Sequence, residues 1–484
     1  MSRRIFPGLI AGVFCSASIT LTAQFGSLPT ASLEQRAEAR DIFKQLIEIN
    51  TTDTPKGSVT AAAKAMQKLF LDAGFSPDDM HLLGPDPNKM NLIVRMHAAA
   101  PTSQKPILFL GHLDVVEALP SDWHTNPFEF VEKEGYFYGR GTQDMKESDA
   151  ALVWTFLRLH REGYKPKRDL ILALTADEEG GKFNGPAWLV QNHRDLVDCA
   201  FVINMDAGGI ELDHGRPVVA DVEATEKVYA DYVVTALNPG GHSSRPRPDN
   251  AIYELTKALN KLEAYSFPFE LNGVTRTYFE NLGKQESGQT AQDIKAVLAS
   301  PPDSAAATRL SAEPDFNSNF RTTCVATMLK AGHARNALAQ TAEANVNCRI
   351  FPGHSPEEIR QELVKLFADP KLTVKYISDA SVISDTAPDR KAIAPPPPIK
   401  EVFDPLTRIT QQIWPGIPVT PVMENGASDS IHFAEVGIPS YGYSAIALER
   451  DDDRAHGQDE RLPVDSYWKS LDFFYAFTKA LGSK

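Results

Sequence analysis

Apolar residues recur at helical spacing from residue 33 to about 75, with Ile42, Leu46 and Ile49 on one stripe. Short apolar runs at 91–95, 107–110, 170–174 and 201–203 then read as buried strands, and helical stretches fall at 150–159 and 186–190. Strands alternating with helices predict an α/β sheet covered on both faces. The texture changes near Tyr229. A strand at 229–236 leads to a helix at 251–265, with Ile252, Leu255, Leu259 and Leu262 on one face. Strands at 323–330 and 342–350 follow, with Gly332 in the turn between them, then a helix at 355–367 and a strand at 372–377. Ser355 is that helix's N-cap, Pro356 opens its first turn, and Glu358 completes a capping box. The order β-α-β-β-α-β is that of a small ferredoxin-like α+β sandwich. Residues 267–320, polar and partly helical, interrupt it as a lid or interface element. A stiff stretch from 386 to about 400 contains Pro395 to Pro398, after which α/β texture returns. The predicted organisation is one α/β domain with a mostly parallel sheet, residues 33–225 and 386–484, interrupted by a smaller domain at 226–385.

A chain of 484 residues is too long for one ordinary core, which agrees with two domains. Arg3 and Arg4 precede an apolar run from Ile5 to about Leu21, and small residues lead to a cut near Ala23. Residues 1–23 therefore read as a secretory signal peptide, with an uncleaved anchor as the alternative. The expected location is secreted or periplasmic, with no membrane attachment after cleavage. A formal charge of −14 offers no basic field for nucleic acid. It does suit carboxylates meant for metal. Cys199, Cys324 and Cys348 make no disulfide framework. Either one pair bridges, Cys324 with Cys348 being favoured, or all three are small buried residues.

Five segments rich in acids or histidine lie at strand ends or in glycine-rich loops, where open α/β sheets bind ligands. Gly111-His112-Leu113-Asp114 follows a strand, and its His and Asp share a face on extended chain. An Asp beside a His suits orientation of a metal-bound imidazole. Gly139 to Lys146 presents Asp144 from a loop before a helix. Thr175 to Gly181 carries Asp177, Glu178 and Glu179, and adjacent glutamates point apart and can take separate tasks. Asn204 to Gly209 carries Asp206, and His456 to Glu460 lies near the C-terminus. Singly, each reads as a polar strand end, an N-cap or a solvated face. Together they are harder to dismiss, because acids after buried strands need something to neutralise them. Two histidines, two aspartates and a glutamate suit a pair of divalent ions, zinc first, with cobalt or manganese as alternatives.

In the order of these five motifs the chain resembles the M20 metallopeptidases, which include carboxypeptidases, dipeptidases and N-acyl-amino-acid hydrolases. The resemblance implies a zinc-exopeptidase-like fold with two Zn2+ per chain. It implies that His112 and Asp206 bind one ion, Glu179 and His456 the other, and that Asp144 bridges them. Glu178 is then the general base, and Asp114 holds His112. Gly240 to Pro246 resembles the family motif whose histidine, His242 here, reaches the active site of a partner subunit, which implies a homodimer through the inserted domain. Asn336 and Arg349 match positions that hold the substrate's carboxylate end, and Gly426-Ala427-Ser428-Asp429 resembles a substrate loop. Glu147, Asp459, and Ala427 with Ser428 depart from the usual pattern. None is an expected ligand, so the departures bear on substrate positioning.

The leading expectation is hydrolysis of an amide or peptide bond next to a free carboxylate, of carboxypeptidase or dipeptidase type. An N-acyl-amino-acid amidohydrolase would use the same metals and clamp. A non-catalytic metal-dependent binding protein is the third reading, and the presence of Glu178 counts against it.

Overall fold

The computed structural model describes residues 28–180, 182–378, 381–389 and 398–484. The expected signal peptide and most of the proline run lie outside them. Among the described residues no helix is long and apolar enough to cross a membrane.

The fold is α/β. In the main sheet, Leu170–Thr175, Ile107–His112, Phe201–Asn204 and Ser440–Gly442 run parallel at the centre. Antiparallel strands flank them, with Met80–Leu83 and Asn91–Met96 on one side. On the other side lies the hairpin Gly209–Asp213 and Arg216–Glu226. Every residue of Ile107–His112 and Leu170–Thr175 is buried, as strands covered on both faces require. Phe109, Leu172 and Leu174 face the helices Leu33–Glu48, Lys146–Arg161 and Val464–Gly482, which contribute Phe43, Trp154 and Phe473. Leu108, Ile171 and Ala173 face the opposite layer with Leu189 and Phe433. The register pairs His112 with Thr175 and Leu110 with Asn204. The carboxyl ends of these strands therefore finish at one edge, and their loops emerge side by side.

The second sheet is antiparallel, in the order Thr323–Ala331, Thr341–Ile350, Val228–Leu237, Leu372–Ile377, Ile383–Ser384. Ala230, Tyr232, Val234 and Ala236 alternate onto the helices Ala251–Glu263 and Pro356–Phe367. Ser355 caps the latter in a capping box with Glu358. This is the ferredoxin-like strand and helix order read from the sequence.

Three features differ from the sequence reading or resolve it. The helical pattern at 33–75 is two helices, Leu33–Glu48 and Val59–Asp72. The Lys146 ammonium ends the first by donating to the carbonyls of Leu46 and Ile49, both at 2.9 Å. The turn then packs so tightly that a Cβ on Gly57 would lie 1.9 Å from the Thr52 carbonyl oxygen. The insertion forms the helices Gly273–Gln285, Gly288–Val297, Ser304–Leu310 and Pro314–Asn319. They enclose a core of their own around Phe279, Ile294, Val297 and Phe320. Finally, Cys324 and Cys348, cross-strand neighbours, are joined as a disulfide, while Cys199 is free and buried.

Candidate metal centre

The site forms where the parallel strands end. His112 is the last residue of its strand, Asp206 lies two residues beyond Phe201–Asn204, and Glu178 and Glu179 lie just beyond Leu170–Thr175. Asp144 comes from the loop before the helix Lys146–Arg161, and His456 from a C-terminal loop, where its φ is +61°.

His112 Nε2 lies 3.1 Å from Asp144 Oδ1 and 3.3 Å from Asp206 Oδ1. His456 Nε2 lies 2.9 Å from Asp144 Oδ2 and 3.0 Å from Glu179 Oε2. The two oxygens of Asp144 thus face different imidazoles. Donor atoms of His112, Asp144 and Asp206 all lie within 4.8 Å of one another, as do those of Asp144, Glu179 and His456. Glu178 groups in the same way with His112 and Glu179. His112 is buried, whereas the His456 side chain is half exposed.

His112 Nδ1 donates to the backbone carbonyl of Asp114 at 3.0 Å, since a carbonyl can only accept. That bond fixes the tautomer and leaves the Nε2 lone pair free for a metal. The Asp114 carboxylate has a different partner. It is 3.8 Å from the ring and accepts the backbone N–H groups of Glu178 at 3.2 Å and Glu179 at 3.0 Å. It therefore fastens the turn that carries both glutamates.

The electrostatics describe a site that attracts cations. Burial alone would lower His112, but Asp206 and Asp144 hold it well above the usual imidazole range. Hydrogen bonds to Asp144 and Glu179 raise His456 to about 10. Burial would raise Asp144, yet its bonds to both imidazoles keep it well below the carboxylate range. Burial, then the Asp206 charge, pushes Glu178 up to about 10, and burial takes Asp206 to about 6. A divalent ion at each position would offset the converging carboxylates and leave both rings neutral. Two imidazole nitrogens and three carboxylates, one with its oxygens turned both ways, fit a pair of zinc-type ions.

Sequence reasoning assigned no role to the groups that hold the candidate ligands in place. Glu460, fully buried, accepts from Arg140 Nη1 at 2.6 Å and from the N–H groups of Gly141 at 3.1 Å, Gln143 at 2.6 Å and Asp144 at 3.3 Å. It ties the His456 segment to the Asp144 loop. Its place four residues after His456 was the only available signal. Asp429 accepts from Asn184 Nδ2 at 2.7 Å and Thr175 Oγ1 at 3.3 Å, and burial raises it to about 7. Lys89 pairs with Asp177, the residue before Glu178, and with Asp53.

The remaining expected residues belong to none of these donor groups. His242 is exposed, and its Nδ1 accepts from the Ser244 backbone N–H at 3.1 Å. It pairs with Ala337 in a two-stranded ribbon, beside the exposed Asn336, whose carbonyl accepts from Ser243 N–H at 3.1 Å. Arg349 lies on Thr341–Ile350, 4.8 Å above the Tyr229 ring. Gly426 donates its N–H to Glu424 Oε1 at 2.9 Å.

Residues 108–480 match the family model described as Peptidase family M20/M25/M40. The chain is 30% identical over 393 residues to a probable carboxypeptidase S-like protein of Dictyostelium discoideum, covering 78% of this chain and 72% of that protein. It is 26% identical over 458 residues to an N-fatty-acyl-amino acid synthase/hydrolase of Homo sapiens, covering 92% and 88%. Its fold matches an M20 family metallo-carboxypeptidase from Sulfolobus solfataricus with a TM-score of 0.66 at 16% identity, over 92% of this chain and 99% of that one.

Proposed function

The chain belongs to peptidase family M20/M25/M40 and is an amide-bond hydrolase, and from that premise we propose that it is a two-zinc exopeptidase cutting the bond next to a free carboxylate. The observation that carries this reading is Asp144, whose two oxygens face two separate histidine-bearing donor sets with Glu178 alongside.

His112 and Asp206 would hold one ion, Glu179 and His456 the other, and Asp144 both. When bound, the ions supply Lewis acidity toward the scissile carbonyl and bring the pKa of water at the site toward ~7. Glu178 takes the proton of the attacking water and returns it to the leaving nitrogen. Cations at the neighbouring donor sets would hold the Glu178 carboxylate ionised and ready to receive that proton. Asp114 keeps Glu178 in place through its backbone N–H. Arg349 receives the substrate carboxylate with its planar fork, assisted by Asn336 and the Gly426 loop. His242, exposed and outside the donor sets, serves the active site of a partner subunit in a homodimer and stabilises the oxyanion there. The arginine pair and apolar run at the N-terminus support a location outside the cytoplasm.

A second reading, N-acyl-amino-acid hydrolysis, draws on the likeness to the N-fatty-acyl-amino acid synthase/hydrolase over nearly the whole chain. Both reactions release an amino acid with a free carboxylate. A panel of dipeptides, C-terminally free peptides and N-acyl amino acids separates them by kcat/KM. Preference for peptides supports the first reading, and preference for acyl amino acids replaces it with the second. Turnover of neither contradicts both.

A further inference from the structure

The chain passes from the main sheet to the second sheet between Glu226 and Val228. Lys227, at that crossing, is 1% exposed. Among the described residues its ammonium makes one hydrogen bond, a long one to Thr323 Oγ1 at 3.4 Å. Thr323 and Tyr229 are the two cross-strand neighbours of Arg349, so all three side chains share one face of the second sheet. The Cys324–Cys348 disulfide fixes that register one position away. Arg349 Nη1 is buried without a hydrogen-bond partner, and so is Nε of Arg321. The other guanidinium nitrogens of Arg321 donate to Phe267 O at 3.1 Å and Ser311 Oγ at 2.9 Å. Burial, then the charges of Arg349 and Arg321, pushes Lys227 down to about 7.

Gathering a buried ammonium and two half-buried guanidinium groups without a counter-charge is unfavourable. An anion accepting from Nζ of Lys227 and Nη1 of Arg349 relieves it. A carboxylate suits a point donor beside a planar fork, with one oxygen for each. The crossing also lies close to the metal centre. Glu226 accepts the Ser428 backbone N–H at 2.6 Å, and the next residue, Asp429, reaches Thr175 at the end of the strand that leads to Glu178.

We propose that Lys227 is a second cation of the carboxylate clamp, binding with Arg349 the free carboxylate of the substrate and selecting for it over an uncharged end. This rests on the hydrolase reading above. The test is steady-state kinetics on a substrate and its C-terminal amide, with wild type, K227M, K227R and R349M. The wild type should prefer the acid. K227M should raise KM for the acid about tenfold or more, as expected for one charge-assisted bond, with kcat nearly unchanged and the amide unaffected. K227R should recover part of the preference. Unchanged KM for the acid in folded K227M, while R349M abolishes the preference, overturns the role of Lys227 alone. Equal use of acid and amide by the wild type overturns the carboxylate clamp itself. If K227M does not fold, K227R and K227Q decide: retained preference in Arg with loss in Gln supports the clamp, and equal preference in both refutes it.

Discussion

Replacing Glu460 by Gln tests how the proposed metal ligands are held. The carboxylate is fully buried and receives four N–H donors. Oε2 takes Arg140 and Gly141, and Oε1 takes Gln143 and Asp144. Gln keeps one oxygen, so two of the four donors meet an NH2 group that cannot accept. Each orphaned buried donor costs about 1–3 kcal/mol. Arg140, buried as deeply, also loses its counter-charge. The sum falls in the range for breaking a buried ion pair, about 3–5 kcal/mol. With the amide oxygen kept on the charged Arg140, the orphaned donors are the N–H groups of Gln143 and Asp144, so the loss should reach the metal as well, as a roughly 10–100-fold weaker affinity. Thermal unfolding and competitive chelator titration of E460Q read the two effects separately. R140M should destabilise comparably, and E460Q added to it should cost much less than E460Q alone. Wild-type stability and wild-type metal affinity in E460Q would refute the reasoning. Full additivity of the two changes would show that the pair does not act as a unit.

Glu178→Gln should leave a folded protein that still binds both metals, with kcat/KM reduced by several orders of magnitude across pH. Near wild-type turnover in metal-loaded E178Q would remove Glu178 as the base. Glu226 is raised to about 8 by burial, so the native state keeps a proton that the unfolded chain releases between about pH 4.5 and 8. Its contribution to stability is therefore complete at low pH and is lost as pH rises, by up to about 1.4 kcal/mol per pH unit in that window. Gln retains an acceptor for the Ser428 N–H and does not titrate. The melting temperature of E226Q should accordingly fall less steeply than that of the wild type from pH 5 to 8, and parallel profiles would contradict this.

Among the candidate ligands, His112, Glu179 and Asp206 stood out in the sequence because each closely follows a short apolar run, where a charged residue needs a compensating partner, whereas Asp144 and His456 stood out only as acid and histidine in glycine-containing loops. The alternation at 229–236 and 342–350 and the capping box at Ser355 were legible for the same reason: they are local periodicities. What stayed hidden depends on contacts between distant segments. Nothing near Glu460 announces that its carboxylate will hold a loop more than 300 residues earlier. The break after Glu48 is set by Lys146, about a hundred residues on. The hairpin Gly209–Asp213 and Arg216–Glu226 escaped notice because its positions are mostly half-buried and mixed in character. Asp114 beside His112 suggested a carboxylate–imidazole contact, but the chain turns so that its carbonyl meets the ring and its carboxylate meets the Glu178–Glu179 backbone.

The most direct test of the central claim is the metal content of the purified protein, with amide hydrolysis assayed before and after chelation. The account predicts about two zinc ions per chain, activity lost on chelation, and activity restored when metal is returned. Less than one metal per chain, with hydrolysis indifferent to the chelator, would contradict it.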